Sequence, residues 1–556
     1  MYMPREKQPS RISTMHSLGH RIIVSNLDSV GLSSTFRLLD SGLRRQLLFE
    51  DAAQLVGFTR ERGREASDLK QKSIPLKQDD ELYPIGKQYD AILRACNTID
   101  FDDQIILACQ LLINIPDLLS EYQRRARHLL IDEYQDLNYA QFQLIKLLTG
   151  GNAEGLFAVG DDDQSIYSFR GGSPQYVRKF QEHFGNQAKV RSIPLCRRCP
   201  PAVLKGALAL VEAFNPERSL QKLNPELLNQ SQSPILVHDF PSQEKEAEVI
   251  ATICSKVTPS HDVLILVPNL NFARPILTAL GQQRVGYDCR SVIAEEGLVA
   301  LDTLGDWLRD PAESFALREC IKFLLEGARF SVPSSRVKKP EKKAAREKLL
   351  SEVSSLWVKV IKENCSLYDS LKADAAKSSL LSELVQCLDE IRSTYESPPD
   401  NFLEVIGRII QPWRKPSEMF QEISTWINEV RGRYGSAQGS VRIMSMRMAK
   451  GLEADYVFVI GMDEQIFPRQ NLGTEELQEA SRLLFVSMTR ATAELHLCHA
   501  RLRRAAVTYL PDSFALKQSP FIKAIPKEFV KVNFVAAAST AQKGNVKARR
   551  GIAKGT

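Results

Sequence analysis

Strand-length apolar runs separated by helical patterns predict an α/β fold built on parallel sheets. The runs lie at 128–131 before Asp132, 156–159 before Gly160, 263–267 before Pro268 and 456–460 before Gly461. Continuous Val, Leu and Ile suit parallel strands covered on both faces, and acidic or glycine residues at strand ends mark the sheet edge where α/β proteins bind ligands. At roughly 100 to 200 residues per domain, 556 residues imply several buried cores.

Composition narrows the class without naming a partner. With 43% hydrophobic and 25% charged residues, the chain is neither collagen, coiled-coil rod nor wholly disordered. A formal charge of +6 is too small over this length to establish a nucleic-acid partner, though it permits local basic patches. No apolar run approaches the roughly 18 residues that span a bilayer, and MYMPREKQPSR has no signal-peptide core, so a cytoplasmic protein without a membrane partner is expected. Among ten cysteines only Cys196 and Cys199 form a CxxC. Without a second pair or nearby histidines, reduced thiols are expected rather than zinc.

Taken in order, the chain carries at about 30–100 a mixed helical and polar insertion in the first α/β unit. The strand–helix pattern then resumes through 128–160 and again at 263–267. From about 298 to 435 the pattern is mostly helical, with amphipathic stretches at 379–393, 402–410 and 420–431, and reads as an insertion splitting a second α/β domain. Its segment 336–348 holds seven basic residues against two acidic ones and reads as a solvated helix start or loop rather than a phosphate-contacting patch. The tail from Lys531 is small, polar and basic, and is expected to be disordered.

Chemistry concentrates at two strand ends. His-Leu-Leu-Ile-Asp-Glu-Tyr-Gln-Asp, 128–136, sets two adjacent carboxylates at a sheet edge: Asp132 can hold magnesium through water while Glu133 deprotonates an attacking water. An apolar run followed by two acids also arises for structural reasons alone. The second strand ends in Val-Gly-Asp-Asp-Asp-Gln-Ser-Ile-Tyr-Ser-Phe-Arg-Gly-Gly, 159–172, where the Gln164 amide can read a terminal phosphate and its water. Tyr167, Phe169 and Arg170 suit stacking and backbone contact in single-stranded nucleic acid, although two aromatics at this spacing also serve as core.

Together these segments resemble the UvrD/Rep-type superfamily 1 DNA helicases over nearly the whole chain. DEYQD resembles the family's motif II and VGDDDQSIYSFRG its motif III; 445–453 (SMRMAKGLE) looks like motif V, 481–491 (SRLLFVSMTRA) like motif VI, and 13–19 (STMHSLG) like motif Ib. Asp100-Phe101-Asp102-Asp103 is similar to the short acidic motif that follows the family's 1B subdomain. The resemblance implies two RecA-like domains with helical insertions. Domain 1A would occupy 1–30 and 100–193, 1B 31–99, 2A 194–297 and 436–530, and a reduced 2B 298–435, leaving 531–556 as the tail. It further implies ATP and Mg2+ as cofactors, DNA as partner, 3′ to 5′ movement along a single strand, and nucleoid association.

By resemblance, Asp132 holds the magnesium, while Glu133, Gln164, Arg198 and Arg490 form the catalytic set, with Arg490 as arginine finger. Glu453 meets the nucleotide sugar. Thr14, His16, Tyr167, Phe169, Arg170 and Arg447 contact DNA. Motif IV departs from Asn-Tyr-Arg-Ser: Cys196-Arg197-Arg198-Cys199 stands there, so Arg197 replaces the base-packing tyrosine and would stack by its guanidinium. Arg447 replaces the usual motif V histidine.

The larger departure is that no GxxxxGK[ST] occurs. Gly86-Lys87 is followed by Gln88, with Glu81 where the first glycine should stand. The expectation is a truncated or split helicase whose phosphate loop comes from a missing N-terminal segment or a separate chain, with negligible ATPase in isolation and exposed apolar surface on the first domain. The alternative is a non-catalytic single-stranded-DNA-binding or adaptor protein on the same scaffold.

Overall fold

The computed structural model describes residues 12–39, 42–193, 195–218, 226–227, 233–289, 307–308, 314–326, 339–363, 365–396, 441–504 and 515–535. The amphipathic stretches expected at 402–410 and 420–431 lie outside them. The fold is α/β. It divides into one unit of Met1–Ile193, Arg218–Lys222 and Ile293–Ser436 and a second of Pro194–Glu217, Leu223–Val292 and Ala437–Thr556.

In the first unit, β1 (Arg37–Leu39) pairs in parallel with β2 (Thr98–Asp100), and β3 (Leu129–Ile131) with β4 (Leu156–Ala158). β3 and β4 realise the runs at 128–131 and 156–159, but not as strands buried on both faces. Their side chains alternate. Leu129, Ile131, Leu156 and Ala158 pack towards Phe142 and Ile145, whereas Leu130 and Phe157 are 71% and 62% exposed. Burial on both faces needs a layer on each side, and this two-stranded sheet packs its core on one side.

The two helical insertions, read from sequence as separate subdomains, share a single core. Phe49, Tyr89 and Leu93 from the first and Trp307, Trp357 and Leu388 from the second belong to one buried cluster. Phe49 stacks on Tyr89 at 3.8 Å, and Arg318, fully buried, bonds Asp51 and Ser354, each at 2.8 Å. Such a buried pair holds because both charges keep hydrogen-bonded partners.

The second unit carries a parallel sheet of seven strands in the order β13-β7-β12-β11-β8-β10-β9. These are β7 (Ile235–Phe240), β8 (Val263–Val267), β9 (Tyr287–Asp288), β10 (Val441–Ser445), β11 (Ala454–Val459), β12 (Ala491–Ala500) and β13 (Val530–Phe534). β8 is an interior strand, and all five of its residues are buried, which suits its unbroken Val-Leu-Ile-Leu-Val. β10 and β11 flank it, with Ile443 and Phe458 both opposite Ile265. Because β10 and β11 follow the helical insertion in sequence, the sheet closes only across that insertion. β5 (Leu195–Cys196) and β6 (Glu226–Leu227) form a separate short parallel pair.

The tail expectation is corrected at its start. Residues 530–534 form edge strand β13, parallel to β7, with Val532 opposite Val237. The sequence Val-Lys-Val-Asn-Phe alternates with period two, as an edge strand with one solvated face does, and ladder bonding to β7 outweighs its polar composition. Residues beyond 535 lie outside the description. No single helix among the described residues is long and apolar enough to cross a membrane.

Candidate nucleotide and DNA sites

The carboxyl ends of β3 and β4 bring the two acidic motifs side by side. Tyr134 N–H donates to the Val159 carbonyl and Val159 N–H to the Ile131 carbonyl, at 2.9 and 2.8 Å. Beyond β3 the chain turns through Glu133, whose φ of 52° puts it in the left-handed region. Asp132 Oδ1 holds that turn by accepting the Glu133 N–H at 2.9 Å.

A continuous hydrogen-bond path then links the motifs. Gln135 Nε2 donates to Glu133 Oε2 at 2.6 Å, and Gln135 Oε1 accepts the Asp161 N–H at 2.9 Å. Gln164 Nε2 donates to Asp161 Oδ2 at 2.8 Å. Gly160 makes this approach possible: a Cβ there would stand 2.9 Å from Gln135 Oε1 and 3.1 Å from Tyr134 Cβ. The structure thus brings Glu133 and Gln164, proposed from sequence as base and sensor, into one network. Gln135, buried at 1% exposure, is the connector that sequence reasoning missed. Its signal was the amide two residues after Glu133, which can donate and accept at once.

The three consecutive aspartates are not equivalent. Asp161, Asp162 and Asp163 offer oxygens within 4.8 Å of one another. Asp162 is paired with Arg178 at 2.9 Å and Asp163 with Arg218 at 2.7 Å, both in buried settings, so much of their charge is already balanced. Asp132 is exposed instead, and its hard oxygen donors suit magnesium, which keeps several waters beside one or two carboxylates.

A second cluster lies on the same unit. Thr14 caps helix Met15–Val24 by accepting the Ser17 N–H at 3.1 Å. His16 on that helix stacks on Phe101, with centroids 3.8 Å apart. Burial, followed by the charge of Arg170, lowers the His16 pKa to about 4, so the ring is neutral near pH 7. Phe101 is 45% exposed, an open ring face that the sequence reading left without a role. Tyr167 and Phe169 lie 6.0 Å apart, and the Arg170 guanidinium stands over the Phe169 ring at 5.4 Å.

The acids around Phe101 fasten it to the first insertion. Tyr89 OH donates to Asp100 at 2.8 Å, Arg45 pairs with Asp102 at 2.9 Å and Lys70 with Asp103 at 2.5 Å. Burial, then the Asp100 charge, raises Asp102 to about 6 and Asp103 to about 7.

On the second unit, Arg198 Nε meets Glu453 Oε2 at 2.9 Å, joining the motif IV and motif V positions, while Arg197 is exposed. Arg447 pairs with the buried Glu479 at 2.5 Å. Arg490 is only 2% exposed. Its guanidinium bonds the Val486 carbonyl at 2.8 Å, the Leu452 carbonyl at 3.2 Å and Thr489 Oγ1 at 3.2 Å, tying the end of helix Thr474–Met488 to the turn before Glu453. Arg198 is therefore the more accessible of the two arginines assigned from sequence to the phosphates.

Comparison with known proteins agrees with this division of motifs. The UvrD/REP helicase N-terminal domain matches residues 3–185, and the UvrD-like helicase C-terminal domain matches 325–501. The chain is 28% identical to the ATP-dependent DNA helicase Rep of Salmonella typhimurium over 549 residues, covering 90% of this chain and 81% of that protein. It is 27% identical to the Escherichia coli Rep helicase over 90% of this chain and 81% of that one, and 24% identical to the ATP-dependent DNA helicase PcrA of Staphylococcus epidermidis over 94% and 77%. Motifs Ib, II and III thus fall within the first match and motifs V and VI within the second, with 196–199 between the two, and the chain belongs to the UvrD/Rep helicase family.

Proposed function

We propose that the chain serves as the motor scaffold of an ATP-dependent DNA helicase moving 3′ to 5′ along a single strand. The observation that carries this reading is the path Glu133–Gln135–Asp161–Gln164, which couples the proposed water-activating acid to the proposed sensor at adjacent strand ends. Glu133 accepts the proton of the attacking water, Gln135 fixes the carboxylate, and Gln164 aligns with the terminal phosphate. Magnesium, held at Asp132, would neutralise charge on the phosphates. Arg198 contributes positive charge, its hold on Glu453 relating phosphate contact to the motif V turn. Phe101, His16, Tyr167, Phe169 and Arg170 form the DNA surface.

Within these 556 residues no GxxxxGK[ST] cradles the phosphates. We therefore propose that this grip is supplied from outside them, the exposed Leu130 and Phe157 offering apolar surface for a packed strand–loop–helix. The test is DNA-stimulated ATPase of the 556-residue polypeptide. Activity orders of magnitude below that of a complete motor is expected, because phosphoryl transfer depends on positioning and charge. Robust hydrolysis abolished by Glu133→Gln would overturn the need for an outside grip.

The missing cradle also favours a second reading, single-stranded-DNA binding or an adaptor role without hydrolysis. That reading requires DNA affinity that is indifferent to nucleotide. Under either reading, Tyr167→Ala with Phe169→Ala weakens binding, by about 1–3 kcal/mol per base stack lost.

A further inference from the structure

We propose that the end of helix Arg60–Gln71 in the first insertion is a positioning element for single-stranded DNA. Lys70 and the Lys72 carbonyl hold the Phe101–His16 and Tyr167–Phe169–Arg170 clusters at a set spacing, so that one strand engages both. This role rests on the DNA surface proposed above and concerns what fixes its two halves.

The helix end is itself closed. Ser73, at a φ of 53°, turns the chain through the left-handed region. Its N–H donates to the Lys70 carbonyl at 2.8 Å, and the Ile74 N–H donates to the Leu69 carbonyl at 2.9 Å. Two such bonds around a left-handed residue make a Schellman closure, which is usually built on glycine. Here a serine with 5% exposure holds it, so packing fixes the backbone beside Lys72.

Lys70 holds the first cluster. The Asp103 N–H donates to Asp100 Oδ1 at 2.7 Å and the Asp100 N–H to Asp103 Oδ2 at 3.2 Å, closing the turn Asp100–Asp103 around Phe101. Lys70 Nζ donates to the other Asp103 oxygen at 2.5 Å and stands 3.7 Å from Asp90. One carboxylate with both oxygens engaged therefore places the Phe101 ring that stacks on His16.

Lys72 holds the second. Gly171, at a φ of 79°, lies so close that a Cβ there would overlap the Lys72 carbonyl, standing 2.8 Å from its carbon. The Gly172 N–H donates to the Tyr167 carbonyl at 3.0 Å, and a Cβ on Gly172 would stand 3.3 Å from the Asp136 carbonyl oxygen. The loop carrying Tyr167, Phe169 and Arg170 is thus pressed between the insertion helix and the end of the 128–136 motif. Arg170 is near enough to His16 for its charge to act on that ring, so the two clusters are neighbours.

Two contacts on one rigid body bind one strand far more tightly than either alone, provided their spacing matches the strand. A loose spacing lets each cluster engage by itself and forfeits the gain. Lys70 and Lys72 lie two residues apart on a closed helix end, so movement of that end shifts both clusters together.

The test uses the full chain without nucleotide and measures affinity for oligothymidylates of increasing length by fluorescence anisotropy at fixed salt. In the unmutated chain affinity should rise steeply at the length that first bridges the clusters. Lys70→Met with Asp103→Asn removes the ion pair without leaving a lone buried charge. It should lower affinity for bridging oligomers by about tenfold while leaving shorter ones within about twofold, and Lys70→Arg should keep the rise. Gly171→Ala approaches the same element from the loop side, in case the paired variant does not fold, and should flatten the rise likewise. Equal loss on short and bridging oligomers by folded variants, or no loss on either, would overturn the proposal. So would a rise in the unmutated chain no steeper than each added nucleotide gives, a readout independent of whether the variants fold. Failure of the DNA surface itself reads differently: Phe101→Ala and Phe169→Ala would then leave affinity for bridging oligomers unchanged.

Discussion

The seven-stranded sheet of the second unit and the β3–β4 pair of the first start from the same sequence signal and end in opposite environments. In β8 every residue of Val-Leu-Ile-Leu-Val is buried, whereas in β3 and β4 the middle residues Leu130 and Phe157 face outwards. An apolar run therefore announces a strand, but whether both faces are covered depends on neighbours remote in sequence. The motif proposed to activate water occupies the less covered sheet.

The contrast can be broken most strongly at Arg503. It is buried between Asp463 and Glu246, at 2.5 and 2.6 Å, and Arg503→Ala leaves two buried carboxylates without their cation. A loss of about 3–5 kcal/mol is expected in denaturant unfolding of the second unit. Leu264→Ala in β8 should cost about 2–5 kcal/mol, against less than about 0.5 kcal/mol for Leu130→Ala on the exposed face. Equal losses at Leu264 and Leu130 would erase the distinction between the sheets.

Gly160→Ala sharpens the comparison from the functional side. Its Cβ presses on Gln135 and Tyr134, so a cost of about 1–3 kcal/mol is expected together with loss of the Gln135 bridge. Under the proposed function, a motor supplied with its phosphate grip would lose turnover in parallel, and unchanged turnover would argue against the bridge.

A smaller effect is expected with pH. His238 packs 3.0 Å from His496 inside the large sheet, and burial followed by the His496 charge lowers it to about 4. Between its ordinary value near 6.5 and about 4, the unfolded state binds more protons, so its contribution to stability falls as pH drops through that window. His238→Gln should flatten the acid limb of the unfolding curve relative to the unmutated protein. An unchanged difference between pH 7 and pH 4.5 would show that His238 is not protonated on unfolding there.

These regions also separate what local sequence reveals from what it hides. β8 and β11 were legible because unbroken apolar runs ending at Pro268 and Gly461 leave little choice of structure. Two-residue strands such as β5 and β9 carry too little pattern to read. β13 was masked by its lysine and asparagine, although its alternation was present. The common core of residues 39–93 and 307–388 was not legible, since periodicity defines an apolar face without naming the face that covers it. At the candidate site, Glu133 and Gln164 could be proposed from charge and position, whereas Gln135 and Phe101 stand out only through contacts between motifs that folding brings together.

The shared core of the two insertions has a consequence for synthesis. Leu48, Phe49 and Tyr89 leave the ribosome more than two hundred residues before Trp307 and Trp357, their partners in the finished cluster. Between them emerge β7 and β8, whose own neighbours β10, β11 and β12 come later still. The two units are interleaved in time as well as in sequence, so neither can complete its core while the chain is short. Nascent chains must carry open apolar surface through most of translation, a period in which chaperones that hold such surface have most to protect.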